Sequence, residues 1–407
     1  MLNEKIELGF DLPSSTGPFF TLDDPVKGKL DNTSYVLSGV IFFDVTSRVK
    51  RYNIRRGKSR QLENFNTGVA SVEFDNRDRA FDPTYALSPY FGQVIPKREV
   101  RISTEGQRRY TGLIDDWNLN YSVGGESTAS IVASDGFAKL ANQTFTASTA
   151  TAQLTGARIN AVLDSADVLW PTDQRDIDPG TKQLGADVLA ADGVVLDYLQ
   201  RVEASELGHF FIDKLGRVTF KDADTLLPDG STAVVLSDDG TGIPYSGMQV
   251  VYGSELLYNQ IVVSSVNASG TAIADDLDSQ NLYGIQTYTR TDLLLDYDTD
   301  VDEHALTLAR EYAYPEYRFE NITVNLDTLE PAQVESILNL EIGSLCIVKF
   351  TPNGIAPAIS KYAEVIAIAD STDTVRHSVT LGFSTLDYVS LILDDVAFGR
   401  LDVAPLG

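Results

Sequence analysis

Three carboxylates, Asp75, Asp78 and Asp82, fall within the stretch SVEFDNRDRAFDPTYALSPYFG, Ser71 to Gly92. Such a cluster can serve as a metal loop, as an acid/base pair or as a turn. Acid/base work needs two carboxyls converging on one substrate atom, with their pKa values pushed apart by environment. Here Arg77 and Arg79 alternate with the aspartates and would hold them ionised. The chain has three histidines, His209, His304 and His377, each alone in its own apolar or helical run. Tight transition-metal coordination is therefore not expected, because a second His or Cys ligand is missing nearby. Asp and Asn side chains bond their own backbone, and Pro83 holds Asp82 extended. Phe81, Tyr85 and Tyr90 are placed to pin such a loop onto a core. Asp75, Asn76, Arg77, Asp78, Phe81, Asp82 and Pro83 thus read as a structural turn motif.

Other candidates meet the same test. Asp296, Asp298 and Asp300 match the opening of a calcium loop. Val301 then stands where that loop needs glycine, and Thr307 where it needs a bidentate Glu. Acids just before a helix also complement its dipole, a plain purpose for Asp300, Asp302 and Glu303. For a hydrolase, Asp115–Asp116 or Asp275, Asp276 and Asp278 can be nominated. Adjacent strand residues point to opposite faces, which weakens the first pair, and the second set lies in a polar loop. A carbohydrate-binding module would stack sugars on Trp117 or Trp170, but both sit in apolar contexts that suit core packing. Cys346, in SLCIVKF, reads as buried, and a single cysteine excludes an internal disulfide. No catalytic, cofactor-binding or metal-binding residue is expected.

The 407 residues call for two to four domains, and 43% hydrophobic against 22% charged residues describes a globular chain. With 32 Lys and Arg against 58 Asp and Glu, the net charge of −26 argues against a general nucleic-acid-binding surface. Such charge repels DNA and lets it slide past, although solubility alone also accounts for it. No secretion signal is visible at the N-terminus, and the apolar runs are far shorter than the roughly 20 residues that span a bilayer. A soluble chain made in a cytoplasm is expected. Against this background, Arg48 to Arg60 carries seven basic residues, Arg48, Lys50, Arg51, Arg55, Arg56, Lys58 and Arg60, and no acid. It reads either as a solvated strand with a turn at Arg56-Gly57-Lys58, or as a contact patch for an acidic partner such as a second copy.

Period-2 alternation dominates the first third, in VASVEF, REVRIS, TASIVAS and the longer YTGLIDDWNLNYS. The period then changes. LTGARINAVLDSADV, with Thr155 as N-cap, and DYLQRVEASELG, stopped by Gly208, read as helices, followed by the hairpin HFFIDKLGRVTF. Strands return in MQVVYG, NQIVVSSV and FENITVNLD, interrupted by the helix HALTLAREYAY. The first and last strand regions share an order: strand, turn or short helix, Gly, then three strands, with Asp75 and Asp327 closing the two opening strands. The expected fold is mainly β with α+β insertions: two related β-barrel-like domains plus a small helix–hairpin domain. The expected borders are 1–149, 150–232 and 233–407, the last with an inserted helical segment at about 266–318.

FNTGVASVEFDNRDRAFDPTYALSPYFGQVIPKREVRI resembles the signature region of minor tail proteins of long-tailed, siphovirus-like phages, especially those infecting actinobacteria. The match follows an order of Asn-Arg-Asp, Phe-Asp-Pro, Ser-Pro-Tyr, then Pro and a basic residue before a strand. RRGKSR, VLDYLQRVEASELGHFFIDKLGRVTF and the ending LILDDVAFGRLDVAPLG extend the resemblance from about residue 40 onward. That family is similar to the baseplate hub of contractile tails. The resemblance implies a non-enzymatic homotrimer at the virion tail tip, with two related units per chain making a pseudo-sixfold ring around the DNA exit channel. It implies a tail tube or distal tail protein, a tape measure protein and other tip or fibre proteins as partners. DNA would pass without specific binding, and the chain itself would not insert into a membrane. A tail-associated wall or glycan hydrolase, or a host-surface carbohydrate-binding module, is the alternative.

Overall fold

The computed structural model describes residues 2–10, 25–26, 29, 40–124, 126–225, 233–373 and 376–386. The ending that carries part of the tail-protein resemblance, from Leu391, lies outside the described residues.

Thirteen strands form one large sheet. They are β1 (Glu4–Phe10), β2 (Ile41–Asp44), β3 (Val49–Gly57), β4 (Asn66–Asp75), β5 (Glu99–Thr104), β6 (Gln107–Asn120) and β7 (Thr128–Ser134). After a long interval come β8 (Val234–Ser237), β9 (Gly247–Tyr252), β10 (Tyr317–Asn325), β11 (Leu345–Phe350), β12 (Ile359–Thr372) and β13 (His377–Leu386). Neighbours run β9-β10-β13-β12-β3-β4-β7-β6-β5-β1-β2, with β11 on the other part of β12 and β8 on β11. The strands alternate buried and exposed residues, as in β4, where Gly68, Ala70, Val72 and Phe74 turn inward. That is the burial an antiparallel sheet with one covered face requires.

Twelve of the thirteen strands form the same six-strand pattern twice, with β2 added beyond β1. β3-β4-β7-β6-β5-β1 in the first half corresponds to β9-β10-β13-β12-β11-β8 in the second. The match holds at single hydrogen bonds. Ile114 N donates to Arg98 O at 2.8 Å and Lys97 N to Ile114 O at 2.6 Å; Val365 N donates to Ser344 O at 2.9 Å and Gly343 N to Val365 O at 2.8 Å. Lys97 and Gly343 both have positive φ, 65° and 87°. The register shifts just after the corresponding residue in each half, between Ile114 and Asp116 and between Val365 and Ala367. Following the ladders from these anchors sets Asp75 opposite Asn325 in the repeat, two residues short of the expected Asp327. One difference is that β1 runs antiparallel to β5, whereas β8 runs parallel to β11.

Neither half closes into a barrel among the described residues. Strand β3 instead pairs with the far half of β12, from Gly57 opposite Ala367 to Tyr52 opposite Thr372, and fuses the halves into one sheet. Alternation alone cannot distinguish a closed barrel from two half-sheets joined edge to edge, because both bury one face of every strand.

The helices are α1 (Gly136–Ala141), α2 (Thr155–Asp164), α3 (Val195–Glu206), α4 (Leu277–Tyr283), α5 (Asp298–Tyr312) and α6 (Pro331–Asn339). Leu154 rather than Thr155 caps α2, and Thr155 instead bonds the buried Glu206. Helix α3 ends on Leu207 in the left-handed region, one residue before Gly208. The hairpin His209–Ile212 and Val218–Lys221 follows. A three-stranded sheet of residues 260–265, 271–275 and 287–293 carries α4 and α5. Its Ile261, Val263 and Leu293 share one hydrophobic core with Ile159, Leu199 and Phe210 of the helix–hairpin region. The two halves of the large sheet have cores of their own, around Val72 and Ile131 and around Ile322 and Val365.

Gly57 sits where β3 meets β12, with φ +112°, and a Cβ there would lie 2.3 Å from Ile366 O. We expect Gly57→Ala to cost about 3 kcal/mol, strain and steric opening of the ladder combined. Gly106→Ala, with φ +77° and nothing within 4 Å, should cost about 1 kcal/mol. Urea denaturation of the two variants measures the difference.

Candidate functional site

The aspartate turn is held by bonds within itself and by Arg48, Trp117 and Tyr121 from neighbouring elements. Asp75 accepts from Arg77 Nε at 2.9 Å, and Asp82 accepts from Arg79 Nε at 3.0 Å, Thr84 N at 2.9 Å and Tyr121 Oη at 2.9 Å. Bonds from Thr84, Arg79 and Tyr121 hold the Asp82 carboxyl far below the usual range. Buried Asn76 accepts from Phe81 N at 2.9 Å, and Asp78 pairs with Arg48 at 2.8 Å. Phe81 stacks on Tyr90 and Trp117, with centroids 5.3 and 5.6 Å apart, and Pro83 follows in an exposed turn. Each carboxylate here answers a cation or a backbone N–H, and none converges on another.

The remaining acidic candidates are also engaged locally. Asp115 pairs with Lys97 at 2.5 Å while Asp116 is exposed. Asp276 caps α4 by accepting from Ser279 N at 2.9 Å, so the expected polar loop is a helix start. Asp298 accepts from Ser269 N and Gly270 N, and Asp300 pairs with Lys182 at 3.3 Å, on separate partners. Trp170 is buried and donates to Gln174 O at 3.1 Å; half-buried Trp117 donates to Ile95 O at 3.1 Å. Burial pushes the Cys346 thiol up to about 12 and the His304 imidazole down to about 4, leaving both neutral and inert at pH 7.

Most of the basic segment forms β3, a strand as expected, but one inside the sheet between β12 and β4 rather than solvated; Arg48, Lys58 and Arg60 flank it. Most of its charge is answered within the chain. Lys50 pairs with Glu126 at 3.0 Å, Arg51 with Glu73 at 2.6 Å and Arg60 with Glu255 at 2.6 Å. Arg56 is buried against Glu341 at 2.8 Å, and Lys58 lies over the Phe65 ring. Arg55 is exposed and lines a groove of about 640 Å³ with Arg60, Glu255 and Arg318.

The densest polar constellation lies at the junction of the two halves, where sequence reasoning did not place it. Asp370, on β12, is 1% exposed. It accepts from Arg109 Nε of β6 at 2.7 Å and lies 2.6 Å from His377 Nε2 of β13. Arg109 also donates to Leu338 O at the end of α6, 2.8 Å away. His377 Nδ1 stands 2.7 Å from Glu4 Oε1, an ion-pair contact without hydrogen-bond alignment. Glu4 in turn accepts from Tyr52 at 2.8 Å and Thr104 at 3.0 Å. One network thus ties β1, β3, β5, β6, β12, β13 and α6.

Burial opposes charge on Asp370, but Arg109 and His377 hold its carboxyl below the usual value. Burial likewise opposes charge on His377, and the bond to Asp370 together with the nearby Glu4 carboxylate outweighs it, raising the imidazole to about 9. The arrangement is a structural staple. Asp370 is enclosed by Arg109 and His377, while Glu4, Tyr52 and His377 also line an open groove of about 540 Å³ together with Lys50 and Arg376.

No family model matches the chain, and no curated protein is similar to it in sequence. Solved structures are. The 43 kDa tail protein of prophage MuSo2 from Shewanella oneidensis superposes with a TM-score of 0.60 at 12% identity, over 94% of this chain and 98% of that one. The tail protein from Neisseria meningitidis MC58 gives 0.58 at 12% identity, over 85% and 94%. The chain has the fold of these tail proteins. The E. coli protein c3393, a type VI secretion component described as similar to the T4 tail proteins gp27 and gp5, gives 0.47 at 11% identity, over 84% and 74%. The likeness extends over nearly the whole chain, which a shared generic β-hairpin would not produce.

His377 binds its proton more tightly when folded, so its contribution is complete below about pH 6.5 and lost as pH rises through about 9. Asp370 has the opposite sign: its contribution is present above its ordinary value and lost as pH falls through its lowered one. Stability should fall by about 2 kcal/mol between pH 7 and 10, and His377→Gln should flatten that limb. Asp370→Ala should cost about 3–5 kcal/mol at pH 7, because it strands Arg109 in the interior. Chemical denaturation across pH measures both effects.

Proposed function

We propose that the protein is a structural, non-enzymatic component of a phage tail tip, a hub in which three chains form a ring around the DNA channel. The observation that carries this reading is the repeat within one sheet: each chain supplies two equivalent six-strand units already joined edge to edge. Three such chains present six similar units, the number needed to meet a six-fold tail tube above while keeping a three-fold tip below. The tail-protein fold supports the same reading. Each half would act as a barrel-like tube unit, with the borders near 149 and 232, and the aspartate turn would stiffen the end of the first. The virion tail tip would be the site of action. The tail tube or distal tail protein, the tape measure protein and tip or fibre proteins would be the neighbours.

The net charge of −26 suits a passage that DNA must traverse without sticking, since like charges repel at close range. Within β3, exposed Arg55 is the cation best placed to meet an acidic neighbour. The hydrolase and glycan-binding readings have no specific observation behind them: Asp115 pairs with Lys97, Asp276 caps a helix, Trp170 is buried and Trp117 stacks on Phe81.

Quantitative protein mass spectrometry of purified particles should find three copies per tail, and antibody labelling should mark the end distal to the head. Labelling along the whole tube, or absence from the particle, would overturn the reading.

A further inference from the structure

We propose that the outer edge of β9 in one chain pairs antiparallel with residues 116–121 at the end of β6 in a second copy, in the register that β3 and β12 use within the chain. The proposal rests on the ring reading and specifies its contact.

The internal junction is a template. Strand β3 offers its outer edge to β12 from Ala367 to Thr372. The repeat makes β9 the counterpart of β3, and residues 116–121 the counterpart of 367–372. Both counterparts are open. Among the described residues β9 pairs only with β10, and the far half of β6, from Asp116 on, pairs only with β7. Each chain therefore carries one copy of each half of a joint it has already made once. Such a heterologous contact runs head to tail and closes into a ring when the rotation permits.

Burial separates the made joint from the open one. At the internal junction Tyr52, Ile54, Arg56, Ile368 and Asp370 are all at most 4% exposed. Their counterparts Met248, Val250, Trp117 and Leu119 are only half-buried, and Tyr252 is 60% exposed. Two core margins, one in each half, thus end in partly exposed apolar side chains along edges that no strand pairs among the described residues. Both edges are lightly protected: Gly247–Tyr252 has no charge and no proline, with one register shift against β10 at Gln249/Val250, and Asp116–Tyr121 has one acid. A second copy fits both edges at once.

The template sets the register. Asp116 faces Gly253, Trp117 faces Tyr252, Asn118 faces Val251, Leu119 faces Val250 and Asn120 faces Gln249. Trp117 then lies beside the Tyr252–Tyr317 ring pair, whose centroids are 5.1 Å apart. The aromatic contact takes the position that the buried Arg56 holds in the internal joint.

Cysteines at Asn118 and Val251 test the pairing, because directly opposed strand residues have Cβ atoms about 5 Å apart. The purified full chain carrying Asn118→Cys and Val251→Cys is weighed in its native state, oxidised and run on a non-reducing gel. Asn118→Cys with Gly247→Cys is the out-of-register control, displaced by roughly 13 Å. The expected result is a covalent ladder ending at three chains, at least tenfold stronger than in the control. Mixing the two single variants should give cross-linked dimers. A native trimer without the in-register cross-link overturns the pairing and leaves the ring standing. A monomer at every concentration, with no cross-link, overturns both.

Discussion

The architecture depends on one buried joint, where β3 enters the sheet beside β12. A strand edge left in water exposes unpaired N–H and C=O groups, and an edge buried without partners is costlier still. Here the two halves satisfy each other's edges, and the charges this traps are neutralised in place. Arg109, Asp370, His377 and Glu4 form a chain of alternating sign from β6 to β1. Such a network adds little net stability over an apolar filling, because desolvation offsets much of the attraction. Its effect is on specificity: shifting β12 by one residue along β3 would strand at least one buried charge. The joint therefore fixes the relative position of the two halves, and any ring built from them inherits that angle.

Much of this was legible in the sequence, and for definite reasons. Alternation in VASVEF, REVRIS and TASIVAS is a local signal, and those segments are strands. The order of elements in the first and last regions repeats because the two halves are built alike, and it was readable at very low identity. Several partners in the aspartate turn are two to five residues away, as in Asp75 with Arg77 and Asn76 with Phe81, whereas Arg48 and Tyr121 reach it from 30 and 39 positions off.

What escaped was long-range. Arg109 and Asp370 are 261 positions apart and Arg56 and Glu341 are 285 apart, so no local pattern marks either as a buried pair. For the same reason Arg48 to Arg60 looked like a surface, when every second residue of it faces a core or an acid. The expected barrels became halves of one sheet, since periodicity reports which face is buried and not which strand lies alongside. The inserted segment that carries α5 packs with the helix–hairpin region rather than with the sheet that flanks it in sequence. That too is a matter of partners, not of propensity.

The proposed function asks the chain for position rather than for chemistry. Its polar side chains are taken up in turns, caps and the central staple, and its apolar ones in three cores with two unfinished margins. On the proposed reading, a part that holds a channel open while a tail assembles around it needs fixed angles and matched edges. The central claim is that two equivalent units per chain produce six around a ring. Cryo-electron microscopy of the largest stable species of the purified chain, reconstructed without imposed symmetry, tests it most directly. The account predicts a three-fold ring of 44.4 kDa chains with six similar lobes around a central opening. A two-fold dimer, or a closed particle without an opening, would contradict it.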